Sequence, residues 1–180
     1  MCRNLILLLS AGFLWACGGP SRSTVDEPYV QDTAYLQYEA MIRDFLVGKR
    51  ISSLARIMAP DDVPSDNCVL LIYHGMDCGS CLDAGFASVE RLRNKGVPCV
   101  TVAIDANVSE AQQRYGYYDY IYTDRGDLLR RELKYVNTPI LLLLDDSLRI
   151  VDMYKPASGT EVAATRFEQT VRAVRPAAGQ

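Results

Sequence analysis

The chain has 180 residues, about half of them apolar (49%), and a formal net charge of -3. That length carries one globular domain with a real core and excludes two comfortable ones. Charges of both signs are interspersed, so no basic patch argues for nucleic acid and no acidic block argues for a disordered tail.

The first residues, MCRNLILLLSAGFLWAC, set the compartment. Arg3 supplies a short positive start, Leu5 to Leu14 an apolar run too short to span a bilayer comfortably, and Ala16 a small residue at a cleavage position. An export signal is the reading of these residues, with an ordinary secretory signal or a plain N-terminal anchor as the alternatives to a lipoprotein signal. The stretch resembles a bacterial lipoprotein signal: Leu14 stands at -3, Ala16 at -1 and Cys17 at +1, with Trp15 where a smaller residue is usual. That resemblance implies a signal peptide over residues 1–16, acyl chains on Cys17, and stable membrane anchoring if two or more chains are attached. It also implies a lipid-anchored protein of the bacterial cell envelope, facing the periplasm or the exterior. Cys2 would leave with the signal, and Cys68, Cys78, Cys81 and Cys99 would remain where disulfide chemistry is open to them.

The stretch GGPSRSTVDEP is rich in Gly, Pro, Ser and charge and reads as a tether, residues 17–30 in all. A helical extension follows over 31–60. In it Tyr35, Tyr38, Ile42 and Phe45 recur at helical spacing before Gly48, and Ile51 to Met58 adds a second short helix. The apolar face of the first helix is not flanked by strong positive charge, so it is expected to pack on the domain rather than on a bilayer. The run CVLLIYH (68–74) has the length and continuous apolarity of a strand buried on both faces. The pair Cys78/Cys81 comes next, then a helix with Leu82, Phe86, Val89 and Leu92 on one stripe up to Gly96, then the strand PCVTVAI (98–104). This order is a βαβ unit. Further elements are a helix over 109–115, a brief strand near 120–122, a helix over 128–135, the buried strand PILLLL (139–144), its hairpin partner at 149–154, and a closing helix over 161–174.

Spacing alone allows Cys78 and Cys81 to be a redox couple, half of a metal site, or a structural staple. A zinc site normally needs four ligands, and only Cys68, Cys99 and His74 are spare. The strand-to-helix junction puts Cys78 beside exposed amides and the positive end of a helix dipole, which stabilise a thiolate. A second cysteine one turn on can then resolve a mixed disulfide, with Cys78 as nucleophile and Cys81 as resolving thiol. Cys68 and Cys99 open neighbouring strands, where either a second disulfide or two reduced core thiols would fit. Tyr115, Tyr117, Tyr118, Tyr120 and Tyr122 form either a partner surface or the packing of a short edge strand.

Strand, CGSC, helix and strand, followed by a Thr-Pro dipeptide that opens an apolar strand, resemble the thioredoxin superfamily over about residues 67–174. The likeness is greatest to exported, membrane-tethered proteins of the TlpA/ResA kind and to AhpC/TSA redoxins. VNTPILLLLDDSLRIV (136–151) parallels the family's V-x-x-T-P stretch, one residue shorter before the proline. The resemblance implies an α/β thioredoxin-like fold, a central mixed sheet flanked by helices, here with the N-terminal helical extension. It implies a cis Pro139 beside the active-site sulfurs, preceded by Thr138; Asp77, next to the first cysteine, is a further candidate for active-site support. It further implies thiol-disulfide exchange with protein thiols or disulfides of the envelope, with no organic cofactor and no metal. Two positions depart from the pattern: Asp77 stands where Trp is common, and Ile72 where thioredoxins bury an acid, which leaves Asp77, Asp83 and His74 as candidate proton acceptors. A non-catalytic, partner-binding lipoprotein of the same fold is the competing reading.

Overall fold

The computed structural model describes residues 33–117, 119–157 and 159–174. The signal, Cys17, the tether and Tyr118 lie outside the described residues. In chain order the elements are α1 (Thr33–Leu46), α2 (Leu54–Ile57), β1 (Cys68–His74), α3 (Gly79–Arg93), β2 (Cys99–Ile104), α4 (Val108–Tyr115), β3 (Ile121–Thr123), α5 (Leu128–Glu132), β4 (Ile140–Leu144), β5 (Ile150–Tyr154) and α6 (Glu161–Val174).

The strands form one sheet in the order β3-β2-β1-β4-β5. β1, β2 and β3 run parallel, while β4 is antiparallel to both β1 and β5, so the sheet is mixed. β1 is central, which is why its sequence is apolar at successive positions instead of alternating. Its alternate side chains serve two separate cores. Cys68, Leu70 and Ile72 face a cluster built with Leu46, Ile51 and Leu54 of the extension and Leu129 of α5. Val69, Leu71 and Tyr73 face the other cluster, formed with Phe86 and Val89 of α3 and Phe167 and Val171 of α6. Full burial of a Leu, Ile or Phe side chain contributes about 1.5–3 kcal/mol, so these two layers hold the sheet.

The extension is part of this structure. Leu46 is fully buried, whereas Phe45 is 40% exposed, with the Lys49 ammonium over its ring. The inward stripe therefore runs through Tyr35, Glu39, Ile42 and Leu46, which corrects the expectation that Phe45 lies on it. Glu39, only 3% exposed, meets Arg43 at 3.4 Å and Arg166 of α6 at 3.2 Å. Arg43 in turn pairs with buried Asp152 of β5 and donates to the Met153 carbonyl at 2.8 Å.

A second correction concerns α5, which stops at Glu132 and does not run to Tyr135. Lys134 and Tyr135 adopt left-handed backbone (φ 56° and 58°), and the Tyr135 N–H reaches back to the Arg130 carbonyl at 2.6 Å. This turn sends Val136 into the core and leads the chain to β4.

Candidate active site

Because β1 and β2 are parallel, they end side by side, and the turn after β1 is built against the end of β2. The Gly75 N–H donates to the Ile104 carbonyl at 3.1 Å. A Cβ at Gly75 would collide with the Asp105 carbonyl oxygen, so glycine is required here by close backbone approach. Three residues later, at Cys78, the chain reaches the start of α3.

Cys78 is the N-cap of α3, and its Sγ accepts the Cys81 N–H at 3.2 Å. The two cysteines form a disulfide across the first turn of that helix. Cys78 is exposed and Cys81 is half-buried, so Cys78 is the more accessible of the two. When the pair is reduced, the free amides and dipole of the helix start favour the thiolate at Cys78.

Asp77 is held on both oxygens. One accepts the His74 N–H at 2.7 Å and the other accepts the Thr138 hydroxyl at 2.8 Å. Asp77 thereby joins the turn before α3 to the segment before β4. The Thr138–Pro139 peptide is cis, and Pro139 is buried. A cleft of about 470 Å³ opens here, walled by Met76, Asp77 and Cys78 on one side and by Asn137, Thr138 and Lys155 on the other. A larger hollow of about 670 Å³ adjoins it at the ends of β1, β2 and β3, and His74 and Arg130 line both.

No protein-family model and no curated protein matches this sequence. Among solved structures, a secreted Mycobacterium tuberculosis disulfide oxidoreductase homologous to E. coli DsbE aligns with 63% of this chain and 85% of its own, at 11% identity and a TM-score of 0.50. A Chlorobium tepidum protein designated a thiol:disulfide interchange protein, DsbE, aligns over 63% and 83%, at 16% identity and 0.51. A mutant of Xylella fastidiosa PrxQ aligns over 72% and 97%, at 11% identity and 0.53. The chain has the thioredoxin fold. At these identities the likeness concerns the fold, and the chemistry rests on the residues themselves.

Within this thioredoxin fold, the sequence-derived candidates divide. Cys78, Asp77 and Thr138 share the cleft, with Cys81 bonded to Cys78 from behind. Asp83 is exposed on α3 and lies 4.0 Å from Arg114 instead, outside the residues lining the cleft. His74 uses its Nδ1 to accept the Met76 N–H at 3.0 Å, which ties the ring into the turn. Ile72 is buried in the apolar cluster.

Cys68 and Cys99 do not meet. Val69 pairs with Cys99 in the sheet, so Cys99 shares the face of Val69 while Cys68 points to the opposite one. Cys68 is a reduced thiol, and burial pushes it up to about 12. The tyrosines turn out to be mainly packing: Tyr115 stacks on Phe86 at 4.4 Å, and buried Tyr117 accepts the Thr101 hydroxyl at 2.9 Å. Among the described members, Tyr120, at 72% exposed, is the outward one.

Lys155 is among the cleft residues that sequence reasoning did not single out. It follows β5, and its Nζ donates to the Asn137 carbonyl at 3.3 Å. Burial pushes its ammonium below the usual range, and nearby Asp77 pushes it back up. Nothing local marks it, because it reaches the cleft only through the pairing of β5 with β4.

Proposed function

We propose that this chain is a membrane-tethered thiol-disulfide oxidoreductase acting on exported proteins through the Cys78/Cys81 couple. The observation that carries this reading is the disulfide that caps α3, with Cys78 exposed and Cys81 half-buried behind it.

From the oxidised form, one thiolate of a substrate dithiol attacks the Cys78 Sγ. A Cys78–substrate disulfide forms, the Cys78–Cys81 bond breaks, and its electron pair leaves on Cys81, which takes up a proton. The second substrate thiolate then attacks the substrate sulfur of that mixed disulfide and releases Cys78 as a thiolate. The substrate is oxidised by two electrons and the couple is reduced by two. Run in reverse, Cys78 attacks a substrate disulfide, and Cys81 gives up its proton and displaces the substrate. Neither direction calls for a metal or an organic cofactor.

Thr138, which lines the cleft with Cys78 and precedes the cis Pro139, would border a bound partner chain, and Asp77 ties Thr138 to the turn before Cys78 through the threonine hydroxyl. Location in the bacterial envelope, facing the periplasm or exterior, rests on the Leu14–Ala16–Cys17 pattern. Cys17→Ser is expected to move the chain from the membrane fraction to the soluble one.

The test of activity is reduction of a disulfide-bonded protein, with a small dithiol as electron source. Wild type is expected to accelerate it, and Cys78→Ser to abolish the acceleration. Equal rates for the two would leave the non-catalytic, partner-binding reading.

A further inference from the structure

The cleft over Cys78 holds a cation from outside the redox motif. Lys155 is half-buried there, with its Nζ on the Asn137 carbonyl. The backbone carbonyl of Lys155 accepts the Tyr35 hydroxyl at 2.9 Å, and the Tyr38 hydroxyl accepts the Asn137 side-chain amide at 3.1 Å. Both partners in the Lys155–Asn137 contact are thus fastened to α1, the helix that precedes the βαβ unit. The extension thereby sets where the lysine sits.

Across the same cleft lies Asp77, one residue before the nucleophile. A carboxylate so close opposes thiolate formation at Cys78, against the pull of the helix dipole. The other charged groups nearby are already matched. Arg130 lies 3.5 Å from Asp127, and Arg114, behind the turn beside Glu110, lies 4.0 Å from Asp83. His74 and Tyr135 also face the cleft, the former with its Nδ1 engaged by the backbone. Lys155 lines the cleft together with Asp77 and Cys78, its Nζ held on the Asn137 carbonyl and not in a direct ion pair.

We propose that Lys155 is a positioning residue that supplies the counter-charge to Asp77 and so keeps the Cys78 thiolate populated near neutral pH. The proposal rests on the reading of Cys78 as the nucleophile. It explains how an acidic residue can stand beside the nucleophile without silencing it. Asp77 keeps its structural link to Thr138 while Lys155 offsets its field. Burial lowers the Lys155 ammonium and Asp77 opposes that shift.

The experiment is the pH profile of iodoacetamide alkylation at Cys78, followed by peptide mass spectrometry in the full chain carrying Cys81→Ser. Lys155→Met is expected to raise the Cys78 midpoint by about one pH unit, about a tenfold loss of thiolate at neutral pH. Lys155→Arg, which keeps the charge, is expected to stay near the parent value, and Asp77→Asn to lower it. An unmoved midpoint in Lys155→Met would overturn the proposal. So would an equal shift in Lys155→Arg, which would assign the effect to packing. Alkylation needs no substrate, so absence of disulfide exchange in the wild type would sink the oxidoreductase reading while leaving a Lys155-dependent shift intact.

Discussion

Replacing Gly75 by alanine tests whether the turn before the cysteines is as tightly built as its backbone contacts indicate. The added Cβ would overlap the Asp105 carbonyl oxygen and stand 3.2 Å from the Ala106 Cα, both backbone atoms that cannot rotate aside. Gly79, inside the CGSC motif, makes the matching control. A Cβ there meets only the Arg114 guanidinium at 3.1 Å, the far end of a flexible side chain. Overpacking of this kind costs about 1–3 kcal/mol. For about 140 folded residues the entropy of melting is about 0.3 kcal/mol per kelvin, so Tm should fall by about 3–10 °C in Gly75→Ala. Gly79→Ala should stay within about 0.5 kcal/mol of wild type, since alanine suits a helix start better than glycine does. Thermal melts followed by circular dichroism measure the first effect. A second effect is read by disulfide exchange: a shifted turn displaces Cys78 in Gly75→Ala, and a displacement near 1 Å costs up to about 100-fold in rate. A Gly75→Ala protein that melts within about 1 °C of wild type would refute the steric argument.

Three further outcomes are expected. Burial alone would push the Glu132 carboxyl up, but hydrogen bonds from the backbone and hydroxyls of Ser52 and Ser53 outweigh it and hold it below the usual range. A carboxylate depressed by folding contributes stability above its unfolded value and loses it as pH falls. Tm should therefore drop on acidification through about pH 5 to 3, and less steeply in Glu132→Gln. Arg43→Met leaves Glu39 and Asp152, both buried, without a shared cation, and a loss of about 3 kcal/mol should appear as a lower urea midpoint. Cys68, with burial holding its thiol near 12, should resist alkylation in the folded protein and react only once denaturant is added, as followed by mass spectrometry.

Much of the fold is written locally. CVLLIYH and PILLLL are apolar at consecutive positions because β1 and β4 lie inside the sheet with both faces covered, and CGSC follows β1 directly. What escaped the sequence depends on distant partners. Phe45 and Leu46 are equally apolar, and only the direction in which α1 meets the sheet decides which is buried. The end of α5 is set by two left-handed residues, Lys134 and Tyr135, neither of which is a glycine that would have signalled the turn. The facing of Cys68 and Cys99 follows from register, since pairing Val69 with Cys99 turns the sulfurs to opposite sides. In the site itself, Cys78, Asp77 and Thr138 were legible as motif neighbours, whereas Lys155 belongs to the cleft only because β5 pairs with β4 and α1 braces the end of β5.

The central claim is that Cys78 makes the covalent bond to a partner and Cys81 breaks it. Trapping tests this most directly: Cys81→Ala is incubated with a disulfide-bonded protein and resolved on non-reducing gels. The account predicts a mixed disulfide through Cys78 that accumulates, dissolves on reduction and is absent from the Cys78→Ala/Cys81→Ala double variant. Failure of the adduct to form, or an adduct that persists without Cys78, would contradict it.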